Sequence, residues 1–342
     1  MAAGERTLVL AEGFSADPHY GKTMRGVVRY RREDIVAILD STRVGESHDG
    51  VPIVGDVDSA RAYGPEVALV GVATQGGRFP PAWRALLAAS IRAGLSLENG
   101  LHQMLGDDPE LRPLADQHGV ELRDLRRPPE DLDCPTGANL DVDARIVLTV
   151  GSDCAIGKMT VSLELDRAAR QMGIASVFVP TGQTGIAIAG WGIAVDAVVS
   201  DFLAGAAERL LVEGRGRGGD LLLVEGQGSL VHPAYSGVTL GLFHGSVPHA
   251  LVLCHRAGAT EIDGYPGHRL PSLSELIALH EGASLPRRRA RVAAVALNTA
   301  GLDDAAAAAA VAAAEDETGL PAADAVRHGA DKLLAALLAA AD

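Results

Sequence analysis

The chain has 342 residues, more than one packed core usually serves, so two domains are expected. Apolar residues make up 47% and charged residues 22%, a globular composition that excludes a mostly disordered chain. The net charge of −14 repels phosphate backbones and anionic lipid, so neither nucleic acid nor a membrane is an expected partner, although a local basic pocket for a small anion is still allowed.

The N-terminal half alternates short apolar runs with amphipathic segments. Thr7–Ala11 opens as a strand, after a start too short in apolar residues for a secretory signal. Gly21-Lys22-Thr23 follows and reads as a helix-capping or solvated segment, because Gly13 lies too far upstream for a phosphate loop. Ile35–Leu39 and Val67–Val72 are strands, the first followed by Asp40, where a ribose-binding acid would stand; no glycine fingerprint accompanies it. Pro80–Ala93 carries Trp83, Leu86, Leu87 and Ile91 on one helical face. Leu95–Leu97 is a strand, Leu111–His118 a helix stopped by Gly119, and Val120–Leu125 a strand. Strands alternating with helices predict a parallel sheet covered on both faces. The proline-bearing stretch from Arg126 to Pro135 reads as a linker. The expected domains are therefore residues 1–132 and 140–342.

A second alternation starts at Arg145. Strands are expected at Ile146–Val150, Ser176–Val179, Val195–Val199, Leu221–Val224, Ala250–Cys254 and Val292–Leu297. Helices are expected at Lys158–Gln171, at the alanine-rich Asp303–Glu317 and at Asp331–Ala341. The longest apolar stretch, Gly185 to Val195, falls short of the ~20 residues of a membrane span. Three cysteines without a Cys-x-x-Cys pair suggest neither a disulfide framework nor a zinc finger. A cytoplasmic protein is expected.

The strongest motif is Gly151-Ser152-Asp153-Cys154-Ala155-Ile156-Gly157-Lys158-Met159-Thr160. A hydrophobic strand enters it and an amphipathic helix leaves it, the context of a phosphate loop. Its glycines let several N–H groups converge on one anion, and Lys158 adds a full charge. Two features separate it from a nucleotide-hydrolysing loop. Five residues, not four, lie between Gly151 and Gly157. Met159 stands where a Ser or Thr would ligate Mg²⁺, and Thr160 is displaced by roughly 100° around the helix. Phosphate binding without hydrolysis is the expectation. Gly214, Gly216 and Gly219 also match GxGxxG, but they follow a helix and precede a strand, so they read as a flexible loop.

In a parallel sheet the ligand sits at the carboxyl ends of the strands. Those ends carry Thr181-Gly182-Gln183-Thr184-Gly185, Glu225-Gly226-Gln227-Gly228-Ser229, His255-Arg256 and Asn298-Thr299. His232 and Glu225 are candidate proton acceptors, and Arg256 can fork onto a carboxylate. Five of the eleven histidines fall between 232 and 268 without metal-ligand spacing, so no metal set is assigned.

The loop, with Thr181–Gly185 and Glu225–Gly228, resembles the dethiobiotin synthetase branch of P-loop proteins. Over the whole chain the sequence more closely resembles the D-glutamate N-acetyltransferase family, once grouped only as of unknown function. The segments carrying that resemblance are Gly71–Gly77, Glu98–His102, Asp124–Pro129, His232–Gly237, and Pro321–Asp324 with Arg327 and Gly329. It implies two doubly wound α/β domains, a Rossmann-like first and a P-loop second. It implies acetyl-CoA as acyl donor and D-glutamate, or a related D-amino acid, as acceptor; a homo-oligomer is expected. Gly151, Ser152, Asp153, Gly157, Lys158, Met159, Thr160, Gln183 and Thr184 would then bind the donor, with Asn298 at the adenine edge and His232, Glu225 and Arg256 in catalysis. Backbone N–H groups of Gly226–Ser229 or Gly182–Gly185 would meet the oxyanion. The alternative is an ATP- and Mg²⁺-dependent ligase or kinase of the dethiobiotin synthetase type, with Asp153, Asp196 and Glu225 on the metal.

Overall fold

The computed structural model describes residues 4–341. The chain forms two units. One contains the residues up to Pro128 together with Gly182–Ala197; the other contains Pro129–Thr181 and the residues from Val198 onward.

The first unit holds β1 (Thr7–Leu10), α1 (Lys22–Tyr30), β2 (Ile35–Leu39), β3 (Ser47–His48), β4 (Val51–Val54), α2 (Val57–Ala60), β5 (Val67–Val70), α3 (Trp83–Arg92), β6 (Ser96–Asn99), α4 (Leu111–His118) and β7 (Leu122–Asp124). Its sheet order is β3-β4-β2-β1-β5-β6-β7, parallel except for the antiparallel edge strand β3. Setting β3 aside, this is the 3-2-1-4-5-6 order of the Rossmann fold. The period-two alternation of a strand explains the two cores: Leu8 and Leu10 of β1 point into one with Trp83, Leu87 and Ile91, while Val9 points into the other with Met24, Val27 and Ile38. Asp40, at the end of β2, is buried. Its carboxylate accepts N–H groups of Gly13, Ser15 and Thr42 and the hydroxyls of Ser15 (2.5 Å) and Thr42 (2.6 Å). Burial pushes its pKa up, but these donors outweigh that and hold it below the usual value. The acid that would read a ribose is thus committed to closing its own loop.

The second unit continues with β8 (Arg145–Gly151), α5 (Lys158–Gln171) and β9 (Ser176–Val179). Then α6 (Gln183–Ala189) belongs to the first unit, where Ala187 joins the core beside β1. The rest of the second unit is α7 (Ser200–Gly216), β10 (Leu221–Val224), α8 (Ser236–Ser246), β11 (Ala250–Arg256), α9 (Leu273–Gly282), β12 (Arg291–Asn298), α10 (Asp304–Thr318), β13 (Ala322–Ala323) and α11 (Asp331–Ala341). Its sheet order is β13-β12-β11-β8-β10-β9, parallel throughout, with β8 inside. Val161, Leu165, Ala168 and Ala169 of α5, spaced as one helical face, pack with Leu333, Leu334 and Leu337 of α11 over Val147 and Val252. Among the described residues, no helix is long and apolar enough to cross a membrane.

Two expected elements differ. Val195–Val199 is not a strand: Val195–Ala197 is a 3₁₀ turn closed by the Ala197 N–H to the Ala194 carbonyl (3.0 Å), and Asp196 pairs with Arg126 of the first unit. Gly214 and Gly216 are not loop residues but the last turn of α7, where Gly214 lets the helix approach Leu222 and Val179.

Two buried histidines make acid stability a test of the second core. His280 is fully buried on α9 and donates through Nδ1 to the Leu276 carbonyl (2.7 Å); burial pushes its pKa down to about 4. His249 accepts the Ile146 N–H at Nδ1 (3.0 Å) and is likewise lowered by burial to about 4. Both titrate near 6.5 when unfolded, so between these values the unfolded chain binds more protons. Stability should therefore fall as pH drops from about 6.5 to about 4. Calorimetry of His280→Leu should give a shallower loss over that window; an unchanged slope would refute the assignment.

Candidate active site

The site is built around the turn from β8 to α5. Gly157 caps α5 with φ at +112° and Ala155 sits at +52°, left-handed conformations that curl the chain back over the helix start. Gly157 offers no capping side chain, so the positive end of α5 faces the loop undiluted. Lys158 is buried and its ammonium donates to the Asp153 carbonyl (2.6 Å), inside the loop. Burial lowers its pKa; Cys154, Cys254, Asp153 and Glu225 pull it back up. The loop thus holds a cation at a desolvation cost that a bound anion would offset.

Each side of the loop is pinned. Ser152 donates its N–H to the Cys254 carbonyl (3.0 Å) and its hydroxyl meets His255 Nδ1 (2.9 Å). The Ser229 hydroxyl donates to the Ser152 carbonyl (3.0 Å). Asp153 accepts the Cys154 N–H at Oδ1 (2.6 Å) and the Asp263 N–H at Oδ2 (2.8 Å). Asn298 donates to the Ile156 carbonyl (3.1 Å) and accepts the Ala300 N–H (3.0 Å). Its amide therefore anchors the loop, rather than standing open for a base edge. Met159 and Thr160 are half-buried on the first turn of α5.

Glu225, at the end of β10, is buried and accepts the Thr181 N–H at Oε2 (2.9 Å), while the Thr181 hydroxyl donates to its carbonyl (2.5 Å). The Gly226 N–H donates to Thr149 Oγ1 (2.9 Å), so this amide of the turn is committed to the fold. His232 is buried between the rings of Tyr235 (centroids 4.6 Å) and Tyr265 (5.0 Å). Its Nδ1 accepts the Ala234 N–H (3.1 Å), and its Nε2 lies 4.0 Å from Asp153 Oδ1. Burial lowers its pKa and Lys158 adds to that, against the pull of Asp153. Arg256 is exposed at the end of β11 and faces Asp263 at 3.6 Å, a surface pair worth less than about 1 kcal/mol that a carboxylate ligand can displace.

Other expected site residues lie elsewhere. Gln183 and Thr184 stand on α6 in the first unit: Gln183 Oε1 accepts from Arg126 (2.7 Å), and the Thr184 hydroxyl meets that of Thr23 (2.9 Å). Asp196, a metal ligand in the alternative reading, is paired with Arg126 there. Among the described residues, Asp153, Cys154 and His232 place donor atoms within 4.8 Å of one another, the spacing of a cation site. The Ala234 N–H on Nδ1 leaves the proton of a neutral ring on Nε2, which then donates and has no lone pair for a metal. Tyr265 and Asp263 escaped the sequence reading, because their glycine-flanked segment carries no motif and touches the loop only through tertiary folding.

Residues 133–334 match a family described as a domain of unknown function (DUF1611_C), P-loop domain, and residues 40–128 match its Rossmann-like domain, DUF1611_N. A Tritonibacter scottomollicae protein described as D-glutamate N-acetyltransferase is 39% identical over 285 residues, 83% of this chain and 84% of that one. A Pseudoalteromonas protein of the same description is 36% identical over 279 residues, 81% and 83% of the two chains. The crystal structure of a DUF1611 family protein from Anabaena variabilis superposes with a TM-score of 0.92 at 42% identity, covering 98% of this chain and 99% of the other.

Proposed function

The chain belongs to the DUF1611 family, in which a Rossmann-like domain precedes a P-loop domain, and from that membership we propose that it moves the acetyl group of acetyl-CoA to the amino group of D-glutamate. The observation that carries this reading is that two proteins named for D-glutamate N-acetylation align with 83% and 81% of the chain. The loop chemistry agrees with it. Coenzyme A carries a diphosphate, and Lys158 with the start of α5 supplies donors for one. Met159 offers no hydroxyl for Mg²⁺, which a hydrolase would require and an acyltransferase does not.

The thioester is already activated, so the transfer is direct. The amine attacks the thioester carbonyl, the C–N bond forms, the C–S bond breaks, and CoA leaves as the thiol. The substrate ammonium must first lose a proton, and Glu225 is the acceptor. Glu225→Gln keeps the contact to Thr181 and should lower kcat by about 10²–10⁴ with little change in acetyl-CoA affinity, read by thiol release. An equal loss of kcat and affinity would remove Glu225 from that role.

The test of the function is thiol release from acetyl-CoA with D- and L-amino acids, with and without EDTA. Release with D-glutamate that EDTA leaves unchanged is expected. A requirement for a divalent ion together with consumption of a nucleoside triphosphate would overturn the proposal in favour of a ligase or kinase.

A further inference from the structure

Among the described residues, His232 has two polar atoms in opposite situations. Nδ1 accepts the Ala234 N–H at 3.1 Å. Nε2 makes no hydrogen bond, and Asp153 Oδ1 lies 4.0 Å away, beyond hydrogen-bond reach. The side chain is only 3% exposed, yet Nε2 is not among the described polar atoms sealed from water without a partner, so it keeps an opening through which a ligand oxygen can reach it. An imidazole that accepts at Nδ1 carries its proton at Nε2 when neutral. Tyr235 and Tyr265 pack against the ring, and the Ala234 N–H sets its orientation. The groups facing it are Asp153 and Cys154 of the loop, Lys158 of α5, and the two tyrosines.

We propose that His232 is a neutral hydrogen-bond donor, which uses Nε2–H to bind an anionic oxygen of the ligand held by the 151–158 loop, and that it is not the proton acceptor of the reaction. This rests on the reading of that loop as the donor's anion cradle. The sequence singled out His232 as a base because imidazole titrates near neutrality. Its surroundings assign the reverse role: the ring's lone pair is already committed to a backbone amide, and the remaining N–H faces the loop. Lys158 at the start of α5 and His232 from the loop after β10 then converge on one anion from two elements. Proton acceptance falls to another group, as argued for Glu225.

The experiment combines a wild-type measurement with two variants. In protein labelled with ¹⁵N-histidine, the ring signals of residue 232, assigned by their loss in His232→Ala, should report a neutral Nε2–H tautomer at pH 7. Acetyl-CoA and inorganic pyrophosphate are the binding probes. His232→Ala should weaken both by about ten- to a hundred-fold, and His232→Gln, whose amide can donate, should recover most of that. The acid limb of the kcat/KM profile should persist in His232→Gln. An imidazolium or an Nδ1–H tautomer would overturn the proposal, as would unchanged affinity in His232→Ala or failure of the wild type to bind either probe. So would a kcat loss of about 10²–10⁴ in His232→Gln with the acid limb abolished, which is the signature of a base. Tautomer and affinity are read without D-glutamate. If both come out as expected but D-glutamate is not acetylated, the acceptor assignment fails and the role of His232 stands.

Discussion

Lys158→Met should weaken acetyl-CoA binding by about 30- to 1000-fold while leaving the free protein as stable as before, or more stable. Removing one partner of a buried charge pair costs about 2–4 kcal/mol. In the free protein the sign reverses. The Lys158 ammonium is buried and its pKa is lowered by that burial, so the fold bears a desolvation cost for it at neutral pH. A lysine whose folded pKa lies below its ordinary 10.5 destabilises the fold at every pH below the folded value, and that cost fades as pH rises through it. Methionine has a similar reach, carries no charge, and can take the place of the Lys158 stem beside Gly151 and Gly226 without needing a partner. Isothermal titration with acetyl-CoA and calorimetry of the free protein separate the two effects. A lower Tm together with unchanged affinity would mean that Lys158 serves the fold and not the ligand. Raised stability at a functional position is the expected trade between binding and folding.

Gly226→Ala should abolish activity and destabilise the second unit by more than about 4 kcal/mol, a loss of the size reserved for backbone clashes. A Cβ on Gly226 would lie 1.7 Å from the Thr149 carbonyl oxygen and 2.8 Å from its carbon. Neither atom can move cheaply, because Thr149 is inside β8, between β10 and β11. The same close approach lets the Gly226 N–H reach Thr149 Oγ1 and holds Glu225 beside the loop, so the end of β10 and the phosphate loop form one rigid piece. Gly216→Ala is the control. A Cβ there meets nothing within 4 Å, and the position ends α7, so the change should be neutral or stabilising by up to about 1 kcal/mol. Urea unfolding of both variants tests the contrast; similar midpoints would show that β10 and β8 do not pack as described.

The phosphate loop was legible because its requirements are local. Backbone curl comes from Gly151 and Gly157, charge from Lys158, and the helix start follows at once, all within eight residues. The same holds for Lys158–Gln171, whose apolar spacing gave its limits without reference to any neighbour. The dissenting position Met159 was equally readable, and it separates anion binding from metal-assisted hydrolysis. Val195–Val199 misled for the opposite reason. Its apolar pattern fits a strand, but the Asp196 side chain finds Arg126, some seventy positions earlier in the chain, and the backbone follows the ion pair. Gln183 and Thr184 follow the carboxyl end of β9, where a ligand contact was expected, yet α6 packs with α1 and the Arg126 side chain of the first unit.

By itself, the order of residues determined that this chain makes two α/β sheets, that one of them carries a phosphate-loop turn, and that Met159 stands there in place of a hydroxyl. These are properties of period, composition and spacing, which act over one helix or one strand. Tertiary structure alone decided what the individual side chains at that turn can do. Asn298 became an anchor and His232 a donor because of backbone groups delivered by folding, the Ile156 carbonyl and the Ala234 N–H. The physical reason is that a titratable or amide side chain has several roles open to it in isolation. Burial removes water as an alternative partner, so whichever protein atom occupies one end of the side chain dictates what the other end has left to offer.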